Sequence, residues 1–120
     1  MTAWTLTHEG DATLLTPARG PVRWDVAVQR AVPTATTTPG FRRRMAAQIR
    51  QDVWRAAARV PGFVPMVQVA ATHDGLNLMA GGCLRAKSGH RPTLEAAISA
   101  ILDNRTTRDR WLRHAARTPA

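Results

Sequence analysis

The chain has 120 residues, 44% of them apolar, which suffices for one domain with its own hydrophobic core. Its single cysteine excludes an internal disulfide, and none of its apolar runs approaches the ~20 residues that a membrane-spanning helix requires. The formal net charge of +9 and the lack of a secretion signal in the first residues predict a cytoplasmic protein that attracts anions and stays off membranes.

The first part of the chain predicts strands. Residues 22–28 alternate between apolar and polar side chains, the period-two pattern of a half-buried strand. Trp4 and Leu6 indicate a shorter strand before it, followed by a turn at 8–11 and a partner strand at 13–16. We therefore expect the chain to begin as part of an antiparallel sheet.

A long helix is predicted after a polar linker at 33–39, which is rich in threonine and proline and is expected to be flexible. Thr38 and Pro39 are suited to the cap and first position of a helix that runs to about Val60. The helical period predicts a core-facing stripe of Phe41, Met45, Ile49, Val53, Ala56 and Val60.

A β-hairpin is predicted next, because the apolar runs 63–71 and 76–83 flank the sequence Thr-His-Asp-Gly. Pro65 cannot donate a backbone hydrogen bond. We therefore expect either that its strand lies at an edge of the sheet or that the proline stands at the start of the strand. Gly81 and Gly82 indicate either a bulge or a close approach of two backbones.

Two helices are predicted at the end of the chain. The first has an apolar stripe of Leu94, Ala97, Ile98, Ile101 and Leu102. Asn104 is expected to end it in a left-handed conformation, and Thr106 with Asp109 has the spacing of a capping box for the last helix. Trp111, Leu112 and Ala115 should form the buried side of that last helix.

This order of elements predicts a two-layer α+β fold. We expect an antiparallel sheet of four to five strands, with one long helix and two C-terminal helices packed on one face. The whole chain, 1–120, is predicted to be a single domain with a frayed tail at 117–120.

The positive charge is concentrated in two segments with helical patterns. Residues 41–60 contain six arginines against Asp52, and residues 85–120 contain eight basic residues against three acidic ones. Lys87 is the only lysine among seventeen basic residues, a bias that a GC-rich genome produces, so the preference for arginine is no argument for phosphate binding. The location of the charge points to basic helix faces.

The long helix carries a tryptophan on the side opposite its core stripe. Arg43, Arg50 and Trp54 share that side, and the spacing of four lets the Arg50 guanidinium lie over the Trp54 indole. Two interpretations remain open. Either other elements bury Trp54, because large aromatic side chains are seldom left bare, or Trp54 and the arginines form a binding stripe.

The remaining arginines also allow two interpretations, solvated charge or contact with phosphate and carboxylate groups. The helix dipole disfavours cations in the first turn, so the triplet at 42–44 is not expected to serve helix stability. The candidate partner-binding residues are Arg42, Arg43, Arg44, Arg50, Trp54, Arg110, Arg113 and Arg117.

No catalytic or metal-binding pattern is present in the sequence. The histidines are scattered without metal-ligand spacing, at His8, His73, His90 and His114. Cys83 lies in a glycine-rich stretch that supplies no adjacent base for a thiol nucleophile. We therefore expect no enzyme activity, no metal and no cofactor.

The leading hypothesis is a non-catalytic basic binding module that docks an arginine-rich helical face on an anionic partner. Nucleic acid or a nucleoprotein complex is the first expectation for that partner. The alternative is a small protein-interaction module, an accessory subunit or an inhibitor, that binds an acidic protein surface.

Overall fold

The computed structural model describes residues 4–17, 22–84 and 90–117. These residues form one antiparallel sheet, in the strand order β1-β2-β4-β5-β3, and three helices. The elements are β1 (Trp4–Glu9), β2 (Ala12–Pro17), β3 (Val26–Pro33), α1 (Pro39–Ala56), β4 (Phe63–Thr72), β5 (Gly75–Leu84), α2 (Arg91–Asp103) and α3 (Arg105–Ala116). The predicted α+β class, with an antiparallel sheet and one long helix followed later by two C-terminal helices, is confirmed.

The helices lie on one face of the sheet, as strand register shows. One row of mutually opposite residues across β2, β4, β5 and β3 consists of Thr13, Val69, Leu78 and Arg30. On this face Arg42 of α1 bonds to Thr13, and Asp103 of α2 forms an ion pair with Arg30. Because paired residues of antiparallel strands point to the same face, α1 and α2 cover the same side, and α3 packs against both helices.

Helix α1 begins as predicted and ends earlier. Thr38 caps it by accepting a 3.3 Å hydrogen bond from the Phe41 N–H, and Pro39 occupies the first turn. The last helical residue is Ala56 rather than Val60. Ala56 is therefore exposed, whereas Ala57, in the turn that follows, is buried in its place. The other core predictions for this helix are confirmed at Phe41, Met45, Ile49 and Val53, with Val60 partly buried against the core.

The predicted hairpin joins β4 to β5 through a turn at His73 and Asp74, with Thr72 paired to Gly75. The register of β5 with both neighbours continues through Gly81 and Gly82, so no bulge interrupts it. A Cβ atom on Gly81 would overlap the backbone of Val26 in β3. The two glycines thus mark the close backbone approach that was one of the two predicted alternatives.

The connection between α2 and α3 differs from the prediction. Asn104 has φ −77° and ψ 109°, so it is not a left-handed terminator. Its side-chain oxygen accepts a 3.0 Å hydrogen bond from the Thr107 N–H and caps α3, which begins at Arg105. The capping box predicted at Thr106 and Asp109 is therefore wrong, because one asparagine both ends α2 and starts α3 without an intervening turn.

An arginine–carboxylate pair lies at one end of the sheet. Arg23 donates from Nε and Nη2 to the Asp25 carboxylate, and the Leu84 N–H donates to Asp25 Oδ2 at 2.7 Å. The Arg23 hydrogen bond and then the Leu84 hydrogen bond lower the pKa of Asp25 from 3.8 to about 2. Asp25 thus joins the start of β3 to the end of β5.

Because the folded-state pKa of Asp25 lies below the unfolded value, its ionised form stabilises the fold. That contribution is complete above pH 3.8 and is lost as the pH falls through about 2. We expect Asp25→Asn to remove this component, so that the free energy of unfolding depends less steeply on pH between 4 and 2 than in the wild type. Denaturant titrations at several pH values measure it, and equal slopes for the two proteins would contradict the assignment.

Candidate functional site

Trp54 lies on the solvent side of α1, with 56% of its surface exposed. The side chains of Ile49 and Val53, on the core side of the same helix, are completely buried. The interpretation that other elements bury Trp54 is therefore wrong. Helix α3 packs along a different flank of α1, where Asp52 bonds to Trp111, so it leaves Trp54 uncovered.

Arg50 lies over a tryptophan from β1 and not over the Trp54 indole. The Cζ atom of its guanidinium is 4.6 Å from the centre of the Trp4 ring, a cation–π distance. Register pairs Leu6 with Leu15, which packs in the core, so Trp4 and Leu6 of β1 point to the side on which α1 lies. Sequence reasoning missed Trp4 as a site residue, because the contact joins positions far apart in the chain.

Trp54 is part of a mixed aromatic and basic surface, which we name the Trp54 surface. It consists of Trp4, Leu6, Arg43, Arg50 and Trp54. Leu6 and Trp54 are two of the three exposed large apolar side chains among the described residues, and Arg43 is exposed two turns before Arg50. The surface therefore combines two guanidinium groups with an accessible indole face and an aliphatic side chain.

Arg42 does not belong to this surface, which corrects its prediction as a partner-binding residue. It is 3% exposed. Its guanidinium donates from Nε to Thr13 Oγ1 at 3.0 Å, from Nη1 to the Thr37 carbonyl at 2.7 Å and from Nη2 to the Gly10 carbonyl at 3.4 Å. Arg42 thus anchors the start of α1 to the β1–β2 hairpin, a structural role that the helix-dipole argument did not anticipate.

Arg44 is half-buried between two helices. Its Nε donates a 2.7 Å hydrogen bond to the backbone carbonyl of Ala115, in the last turn of α3. A cation at a helix C-terminus interacts favourably with the helix dipole, so this contact joins α1 to α3. The Arg44 guanidinium, which was predicted to bind a partner, thus donates a hydrogen bond within the chain.

The second basic row, on α3, is partly engaged as well. Arg110 forms an ion pair with Asp52 of α1, and the same carboxylate accepts a 2.6 Å hydrogen bond from Trp111 Nε1. Arg113 and Arg117 are exposed. On α1, sequence reasoning missed Arg55 as a candidate, although its side chain is 68% exposed. The Nη1 atom of Arg55 lies 3.8 Å from Asp52 Oδ1.

The two basic rows belong to one helical layer but lie on opposite flanks of α1. Asp52 faces α3, whereas Arg50 faces β1. At 100° per residue, Arg43 and Trp54 fall on the Arg50 side of the helix. The Trp54 surface is therefore the part of the predicted site that the structure brings together, and Arg113 with Arg117 forms a separate patch.

In the ranges 4–17, 22–84 and 90–117, no three histidine, cysteine, aspartate or glutamate side chains are grouped so that they could hold a metal ion. None of the helices that the structure describes is long and apolar enough to cross a membrane. The chain matches no family model, no curated protein and no solved structure.

Proposed function

We propose that the protein is a non-catalytic binding module that docks its Trp54 surface on nucleic acid, alone or within a nucleoprotein complex. The observation that carries the proposal is the 56% exposure of Trp54 on a helix side that also presents Arg43. An exposed indole offers a face for base stacking, which contributes about 1–3 kcal/mol per base. Guanidinium groups beside it suit the phosphates of the same strand.

The cation–π contact between Arg50 and Trp4 adds to this arrangement. It holds the Arg50 guanidinium at the sheet-side border of the Trp54 surface, 4.6 Å from the Trp4 ring centre. A side chain that is already ordered loses less conformational entropy when it binds a phosphate. Stacking on Trp54 requires an unpaired base, so the proposed partner is a single strand rather than a duplex.

An acidic protein surface is the alternative partner, and Leu6 is the observation that favours it. This leucine is 36% exposed, on the side of β1 that faces α1. Tryptophan and arginine dominate the binding energy of protein interfaces, and an exposed leucine gains more from an apolar pocket than from a phosphate backbone. In this role the protein would be an accessory subunit or an inhibitor.

A salt titration tests the proposal. Fluorescence anisotropy with a labelled single-stranded oligonucleotide should give a logarithm of the binding constant that falls linearly with the logarithm of the salt concentration. The slope should be about −0.7 per neutralised phosphate. We expect Arg43→Ala to make the slope shallower by about 0.7. Trp54→Ala should weaken binding about tenfold while leaving the slope unchanged, because stacking releases no counterions.

Arg91→Ala is the matched control, since Arg91 is exposed at the start of α2 and is not part of the Trp54 surface. It removes the same charge and should change the affinity less than Arg43→Ala. Failure of the wild type to bind any single strand, whether DNA or RNA, at low salt would overturn the proposal. Retention on polyglutamate in that case would support the alternative partner.

A further inference from the structure

Strand β1 is an open edge of the sheet. Among the strands that the structure describes, β1 pairs with β2 alone, and its residues after Trp4 are all exposed. Such an edge presents backbone N–H and C=O groups to solvent, which form a template for another strand. Folded proteins normally block this template with charges, prolines, bulges or a covering element.

Within residues 4–17, 22–84 and 90–117, the opposite edge carries such protection, whereas β1 does not. Strand β3 ends in Pro33, which cannot donate a backbone hydrogen bond, and its Arg30 is held at 2.7 Å by Asp103 of α2. Strand β1 contains no lysine, arginine or proline, and its one acidic residue, Glu9, stands at its end. The two edges therefore differ in their capacity to pair.

The sequence of β1 is complementary to itself. An antiparallel pair centred on Leu6 places Leu6 opposite Leu6 of the second copy, Trp4 opposite His8 and Thr5 opposite Thr7. Threonine pairs and apolar pairs directly opposite one another stabilise antiparallel strands. The pairing also covers Leu6, which is 36% exposed in the single chain. No residue between Trp4 and His8 brings a carboxylate or a permanent positive charge into the pairing.

We propose that β1 pairs with β1 of a second copy of this chain, antiparallel and about a twofold axis at Leu6. The two five-stranded sheets then join into one continuous sheet. Opposite residues of an antiparallel pair share a face, so both helical layers lie on the same side. The two Trp54 surfaces then flank the axis.

The charge of the chain gives this dimer a diagnostic salt dependence. Each copy carries a formal charge of +9, and Arg50 lies close to β1 through its contact with Trp4. Repulsion between the copies is screened by salt, so the dimer should become tighter as salt rises. Binding to nucleic acid should weaken with salt, which separates the two proposals: either can fail while the other holds.

Disulfide trapping tests the register directly. Directly opposite residues in an antiparallel pair have Cα atoms about 5 Å apart, within reach of a disulfide. Leu6→Cys alone should therefore form a covalent dimer under mild oxidation. Thr5→Cys and Thr7→Cys should cross-link when mixed but not singly, because the equivalent residues lie about 8 Å apart. The wild type, with its buried Cys83, is the background control.

Sedimentation velocity over a range of concentrations measures the unmodified dimer. Leu6→Lys places two ammonium groups opposite each other and should raise the dimer dissociation constant at least about tenfold. Ala31→Lys adds the same charge to the exposed opposite edge and should leave the constant unchanged. A wild type that stays monomeric at all concentrations and salts, or a Leu6→Cys chain that does not cross-link, would overturn the proposal even if Leu6→Lys fails to fold.

Discussion

Replacing Trp111 with alanine is expected to lower the free energy of unfolding by about 3–5 kcal/mol, the cost of removing a large aromatic side chain from a core. Trp111 is completely buried in the hydrophobic core, in the helical layer where α3 packs against α1 and α2. Its Nε1 also donates a 2.6 Å hydrogen bond to Asp52 of α1. The substitution thus leaves a cavity and takes one donor from a largely buried carboxylate.

Trp54→Ala is the matched control, because it removes the same side chain from an exposed position. We expect it to change the free energy of unfolding by no more than about 0.5 kcal/mol. Urea titrations followed by circular dichroism compare the two variants under identical conditions. Equal losses of stability in the two variants would contradict the assignment of Trp111 to the core and of Trp54 to the surface.

Replacing Arg42 with alanine is expected to cost about 2–4 kcal/mol of stability, because the change leaves one buried and two partly buried acceptors without their donor. The guanidinium serves Thr13 Oγ1 and the carbonyl oxygens of Thr37 and Gly10. Each of these acceptors lies on a different part of the chain: a strand, the segment before α1 and the β1–β2 turn. The loss should therefore loosen the first hairpin from the helix.

Arg43→Ala, one position further along the same helix, is the control for this prediction. Arg43 is exposed, and its replacement should leave the free energy of unfolding within about 0.5 kcal/mol of the wild type. Chemical denaturation measures both variants, and amide hydrogen exchange in β1 and β2 reports whether the hairpin loosens in Arg42→Ala. Unchanged stability in Arg42→Ala would contradict the structural role of this arginine.

These comparisons also separate folding from binding. Arg43 and Trp54 are expected to affect partner affinity with little effect on stability, whereas Arg42 and Trp111 are expected to affect stability first. Arg42 and Arg43 have the same side chain but differ in burial, and so do Trp111 and Trp54. A loss of binding in Arg42→Ala that is restored by conditions favouring the folded state would then be an indirect effect.

The sequence by itself determined the elements and the class of fold. The alternation predicted over 22–28 marks a strand with one buried side, which in the structure begins only at Val26 and runs to Pro33. The period from Phe41 to Val53 marks the core side of a helix. Thr38 and Pro39 define where that helix starts. These are local signals, because side-chain direction repeats every two residues in a strand and every 3.6 in a helix.

Only the tertiary structure decided how the basic residues divide. Arg42, Arg43 and Arg44 are adjacent in sequence, yet one is buried, one is exposed and one binds a carbonyl of α3. Helical periodicity gives the angle of a side chain to the core but does not say which other element lies beside it. A long guanidinium side chain takes its partner from whichever element lies within reach, and that depends on contacts between distant parts of the chain.

The same reason explains the two tryptophans. Periodicity placed Trp54 away from the core stripe of α1 without showing whether a neighbouring helix covers it, and it left Trp4 unconnected to Arg50. The packing of α3 on the Asp52 flank leaves Trp54 exposed, and the pairing of β1 with β2 brings Trp4 under Arg50. Exposure of a side chain depends on every element near it, so it is decided only when the layers pack together.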